Sequence, residues 1–126
     1  MYPDYTARHF RVLRQAIETG IFKFLAHLDY VRKYGDEIYN VNLFTEEKQA
    51  ILAALKKTNT GIEISTKGLR KIGCFYPDGK VLEQVKLLNI PVVISDDAHT
   101  IYELGADFDK AEAELKKYNI INRLKF

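Results

Sequence analysis

Residues 79–100, GKVLEQVKLLNIPVVISDDAHT, decide how the chain is read. Val81, Leu82, Val85 and Leu88 recur at three- and four-residue intervals, which predicts an amphipathic helix from about Lys80 to Leu88. Asn89 and Pro91 bracket its end, since proline lacks the N–H a helix needs and its ring obstructs continuation. Val92-Val93-Ile94 is then a short run of β-branched residues, the composition of a buried strand. An apolar run without alternation implies cover on both faces, as parallel sheets have. Beyond that strand come Ser95-Asp96-Asp97-Ala98-His99. They stand where α/β folds gather their functional groups.

The same grammar recurs upstream. Ile62-Glu63-Ile64 alternates with period two and predicts a second strand, with Glu63 on the face opposite the isoleucines. A helix from Thr45 precedes it, with Ile51, Leu52, Ala54 and Leu55 inward and Asn59-Thr60-Gly61 as its stop. The Thr45 hydroxyl is the expected cap of that helix, and Glu46 and Glu47 complement its positive end. Earlier still, Phe10, Leu13 and Ile17 mark a helix from about Asp4 to Thr19. The run Ile21–Ala26 then predicts a strand that ends at His27-Leu28-Asp29. Residues 30–44 read as loop or short helical turns, and residues 65–79 as a long loop closing on the turn Tyr76-Pro77-Asp78-Gly79. A last helix spans about Asp107 to Tyr118, followed by a short strand through Ile120 and Ile121. Strand, loop and helix in repetition predict an α/β fold of parallel βα units.

The 126 residues suit one domain and are too few for an ordinary eight-unit barrel. Nineteen Lys and Arg against 17 Asp and Glu give a net charge of +2, and no dense basic block argues for nucleic acid. No apolar run reaches membrane-spanning length, and the opening MYPDYTARHF lacks a secretory pattern, so no membrane and a cytoplasmic location are expected. Cys74 is the single cysteine, which excludes an internal disulfide and a cysteine-rich zinc module.

If the strands are parallel, His27 and the Asp97-x-His99 pair reach one rim. Imidazole and carboxylate are donors suited to zinc, manganese or iron, and a bound cation could activate a water. Glu63 and Asp29 stand near enough in the reading to ligate or to orient a ligating imidazole. The alternative reading is structural: His27 donating to a backbone carbonyl, and Asp97 capping a turn. His9 is expected on a helix away from the rim, solvated or packed. Arg70 offers a planar fork to a phosphate and Lys71 a diffuse positive field, against the alternative of an exposed basic loop shared with Lys67.

Four segments resemble a known family in order: FLAHLDYVRKYG (24–35), GIEISTKGLRK (61–71), YPDGKVLEQVKLLNIPVVISDDAHT (76–100) and ELGADFDKAEAELKKYNI (103–120). They resemble the carboxyl-terminal half of the histidinol-phosphatase branch of the PHP (polymerase and histidinol phosphatase) superfamily. The resemblance implies a partial PHP-type (β/α) barrel over residues 1–126, truncated relative to the seven-stranded family barrel. It implies His27, Asp97 and His99 as metal ligands, and Glu63 and Asp29 as further ligands or their supports. Arg70, with Lys71, would contact phosphate.

The implied activity is hydrolysis of L-histidinol phosphate by a metal-activated water, with divalent Zn, Mn or Fe as cofactor and no protein general acid identified. Two positions depart from the family pattern: Cys74 stands where an acidic residue is expected, and Asp96 where serine is more usual. The family's amino-terminal H-x-H pair has no counterpart among the three histidines. The alternative is therefore a noncatalytic remnant, or a structural or metal-binding subunit. The expected partners of the chain are a phosphorylated small molecule and, to complete the fold, another copy in a homo-oligomer or a separately encoded amino-terminal half.

Overall fold

A computed structural model describes residues 2–35, 39, 40 and 42–126. Helix α1 (Tyr2–Glu18) begins two residues earlier than its apolar period suggested and buries Phe10 and Ile17. Strand β1 is only Phe24–Leu25, because Ile21, Phe22 and Lys23 lie exposed before it. A 3-10 turn follows at Tyr30–Tyr34, in keeping with the loop-or-turn reading, while positions 36–38 and 41 lie outside the described residues. Helix α2 (Thr45–Thr58) buries Ile51, Leu52 and Leu55 as its spacing requires. Its cap differs from expectation: Phe44, in a left-handed conformation, holds that position without a side-chain hydrogen bond, and Thr45 is already helical.

Strand β2 (Gly61–Ser65) is buried at every residue, and β3 (Val92–Ser95) lies beside it. The sheet is parallel, in the order β1-β2-β3, with Leu25 opposite Ile62, Ile62 opposite Val92, and Ser65 opposite Ser95. It is a small open sheet, not a closed barrel. Helix α1 packs on α2 and α2 on α4 (Gly79–Leu88), while α5 (Phe108–Lys117) packs on β3. Ile51, Leu55, Ile62, Ile64, Val85 and Leu115 form the centre of the core. None of the helices among the described residues is long and apolar enough to cross a membrane.

Two sequence expectations change here. The stretch 65–79 is not all loop, since α3 (Lys67–Ile72) forms directly after β2. The tail places no strand at Ile120 and Ile121. Arg123 instead makes a lone parallel bridge to Val92, with the Leu124 N–H donating to the Val92 carbonyl at 2.8 Å. Ile120 is buried and Ile121 exposed, so this part of the tail contributes packing rather than pairing.

Helix α3 sits where it does because Gly68 lets its backbone approach that of residues 74–76. A Cβ at Gly68 would collide with the Cys74 carbonyl oxygen and lie 3.1 Å from the Phe75 carbonyl carbon. Alanine ordinarily favours a helix over glycine by about 1 kcal/mol. Here the obstacle is backbone, which cannot swing aside, and overpacking costs about 1–3 kcal/mol. Gly68→Ala is therefore expected to lower the urea midpoint; an unchanged or raised midpoint would show that α3 has room to shift.

Candidate functional site

Parallel pairing brings the carboxyl ends of the three strands to one rim. His27 stands just past β1, Lys67 just past β2, and Asp97 and His99 past β3. The pairing of Ser65 with Ser95 extends one residue further, where the Thr66 N–H donates to the Ser95 carbonyl at 2.9 Å. That register sets Lys67 opposite Asp97. The Lys67 Nζ lies 2.8 Å from His99 Nδ1, 3.3 Å from the Asp97 carbonyl oxygen and 3.4 Å from Asp97 Oδ2. Asp97 adopts a positive φ of 48°, and its own carbonyl lies 2.8 Å from His99 Nδ1. Lysine occupies the middle of the predicted pair.

Arg70 is held just as firmly. Its Nη2 donates to the Asp96 carbonyl at 2.6 Å, and its Nε to Glu103 Oε2 at 3.1 Å. The Asp96 carboxylate accepts the Gly105 N–H at 2.6 Å and the Ala98 N–H at 3.0 Å. Those bonds, the Gly105 one foremost, hold its pKa below the ordinary aspartate value. The guanidinium expected to meet phosphate thus braces the 96–105 segment against α3, and Lys71 is exposed to solvent.

His27 lies on the same rim but turns to other partners. Its backbone, at a φ of 26°, donates its N–H to Glu63 Oε1 at 2.9 Å, and its ring rests on Tyr30 with centroids 4.6 Å apart. Glu63 is buried and spends one carboxylate oxygen on that amide. His9 packs closer to this end than its helix suggested, with its Nε2 3.2 Å from the Leu28 carbonyl. Burial lowers its pKa, and the neighbouring His27 lowers it further.

Asp29 anchors a buried polar network that sequence reasoning did not foresee. One carboxylate oxygen accepts from Arg32 Nη1 at 3.1 Å and from the Asp78 N–H at 3.0 Å. Arg32 also donates to the Phe75 carbonyl and, through Nη2, to Cys74 Sγ at 2.8 Å. Sulfur thus serves as an acceptor for the guanidinium. Asp78 caps α4 by accepting the Val81 N–H at 3.1 Å, and it lies 3.8 Å from the buried Lys48 ammonium, which reaches Tyr39 at 2.8 Å. The i,i+3 spacing of Asp29 and Arg32 was the one local signal of this network. Lys48 and Asp78 come from distant segments and gave none.

The expected divalent cofactor is overturned by this arrangement. Among the described residues no group of three or more His, Cys, Asp or Glu side chains is placed to hold a metal ion. The physical reason is visible at four of the predicted donors. An ammonium stands between Asp97 and His99, and Glu63 serves the His27 amide. Asp29 is enclosed with Arg32.

The fold and rim define a partial α/β unit, with an open parallel sheet and a carboxyl-end edge of mutually paired charges. No family model matches the chain. It is 38% identical over 120 residues to a probable histidinol-phosphatase of Thermotoga maritima, covering 93% of this chain and 50% of that protein. A probable histidinol-phosphatase of Deinococcus radiodurans is 26% identical over 121 residues, covering 92% of this chain and 42% of that one. A crystal structure of a Listeria monocytogenes protein assigned as a histidinol phosphatase superposes with a TM-score of 0.71 at 26% identity, covering 81% of this chain and 42% of that one. The chain spans about half the length of the curated relatives it matches. It is homologous to the PHP/histidinol-phosphatase family over most of its length, and it matches only part of those larger proteins.

Burial makes Asp29 a pH-dependent element. Removal from water raises its pKa from 3.8 to about 7; Arg32 opposes the rise and Asp78 adds to it. Between those two values the folded chain holds a proton that the unfolded chain has lost. Stability contributed at this position is therefore greatest below about pH 4 and declines as pH rises to about 7, by at most about 1.4 kcal/mol per pH unit. Urea midpoints of Asp29→Asn across that window should lack the decline that the parent shows. Parallel pH profiles for the two proteins would contradict it.

Proposed function

We propose that residues 1–126 form one partial PHP-type unit that acts as a structural half of a histidinol-phosphatase-like fold and is not catalytic by itself. The observation that carries this reading is the mutual saturation of the rim. Lys67 engages Asp97 and His99, Arg70 engages Asp96 and Glu103, and Glu63 engages the His27 amide. Hydrolysis of a phosphomonoester needs positive groups that can meet phosphate oxygens and an activated water aligned with them. Groups already neutralised by one another supply neither.

The open sheet supports the need for a complementary segment. Among the described residues, strand β1 pairs only with β2, and the far side of β3 meets no more than the lone Arg123 bridge. Unpaired strand edges attract further strands. Ile21 and Phe22 beside β1, and Ile101, Tyr102 and Leu104 beyond β3, are large apolar side chains left exposed. A complementary half of the family fold would cover such groups. The homology supports a related hydrolase function in general. In this reading, that activity belongs to a completed fold, to which this chain contributes scaffold and the strand-end rim that carries His27, Asp97 and His99.

The test is phosphate release from L-histidinol phosphate by the purified chain, against an Asp97→Ala/His99→Ala double variant. The expected result is no release above that of the variant. Turnover by the isolated chain that the double substitution abolishes would overturn the proposal.

A further inference from the structure

We infer that Lys67 is a resident cation. Its ammonium takes the place at which Asp97 and His99 would otherwise present donors to a dissolved divalent ion, and so excludes one. The inference extends the structural-half reading by saying how the late acid–imidazole pair is kept from metal.

Three acceptors from a three-residue stretch converge on one nitrogen: His99 Nδ1, the Asp97 carbonyl and the Asp97 carboxylate, at 2.8, 3.3 and 3.4 Å. An ammonium carries three protons and accepts nothing, so three acceptors match its capacity. In the Nε2–H tautomer His99 accepts one of those protons on Nδ1; in the Nδ1–H tautomer that nitrogen donates to the Asp97 carbonyl at 2.8 Å instead, and the ammonium keeps the two Asp97 oxygens as acceptors. Lys67 is only 8% exposed, so its charge is out of bulk water and needs such partners.

Its position is also constrained. Lys67 opens α3 directly after the fully buried Ser65 and Thr66, and its own N–H donates to Ser65 Oγ at 3.3 Å. The opposing loop is pinned by the Thr66 bond to the Ser95 carbonyl and the Arg70 bond to the Asp96 carbonyl. A divalent ion entering between Asp97 and His99 would meet a like charge within hydrogen-bond distance of both. At that separation and degree of burial the repulsion is strong. Ammonium also differs from a metal ion in chemistry. It neutralises a carboxylate and fixes a loop, but it has no open coordination position on which to acidify water.

The experiment is a Mn²⁺ titration of the ¹⁵N-labelled chain, followed by paramagnetic broadening of the Asp97 and His99 backbone and imidazole signals. The parent chain should show no selective broadening there, and Lys67→Arg, which keeps the charge, should behave like it. Lys67→Ala and Lys67→Met should broaden those signals at Mn²⁺ concentrations at least about tenfold lower than the parent requires. Methionine retains the buried stem, so whichever neutral variant keeps a dispersed spectrum carries the comparison. Equal broadening of parent and neutral variant, or none in either, would overturn the inference. Phosphate release by the isolated chain would instead end the structural-half reading and leave this titration to be judged separately.

Discussion

The register of β2 against β3 is the constraint on which the site depends. Ser65 stands opposite Ser95, and the next amide continues the ladder to the Ser95 carbonyl. Parallel ladders advance both strands in one direction. Whatever follows Ser65 must therefore face whatever follows Ser95. Here a lysine stands two residues beyond one, and an acid–imidazole pair begins two residues beyond the other. The ion pair is a consequence of strand pairing, and α3 begins at that same lysine.

A second buried set of charges closes the other side of the rim. Asp29, from the segment after β1, meets Arg32 in its own turn and the Asp78 amide at the start of α4. Asp78 in turn caps α4 and faces Lys48 on α2. Three segments are thus tied through two carboxylates. Buried ion pairs recover little net stability after desolvation, while loss of one partner leaves a charge uncompensated. Their effect here is positional: they fix the chain after β1 relative to both helices. The two networks share a character, in that cations of the chain itself pair with their carboxylates, while Asp29 Oδ1 is left buried without a hydrogen-bond partner among the described residues.

This pattern reconciles the homology with the donor geometry. The order and spacing of segments follow the family closely enough for the fold to superpose on a solved relative. The donors at the strand ends persist in the sequence, yet no three of them among the described residues are placed around one point. Kinship preserved the scaffold, whereas side-chain pairing on this scaffold redirects the groups it carries.

Much of the scaffold was legible beforehand. Val81, Val85 and Leu88 marked α4, Ile51 and Leu55 marked α2, and the runs at 62–64 and 92–94 marked β2 and β3. Each signal is a short-range periodicity, set by how many residues one turn or one pleat contains. Helix α3 was hidden because six residues carry little period and Gly68 reads locally as a breaker. What fits it there is a close approach to the backbone of residues 74–76. The tail was misread because Ile120 and Ile121 look strand-like, while pairing fell to Arg123 through contact with Val92.

By itself, then, the sequence determined the four longer helices, strands β2 and β3, and the placement of His27, Asp97 and His99 at strand ends, because all of these follow from local spacing. Only the tertiary structure decided which charges meet. Lys67 and Asp97 are thirty positions apart, and the Coulomb and hydrogen-bond terms that join them act only at a few ångströms. No local pattern records that distance until the strands have paired.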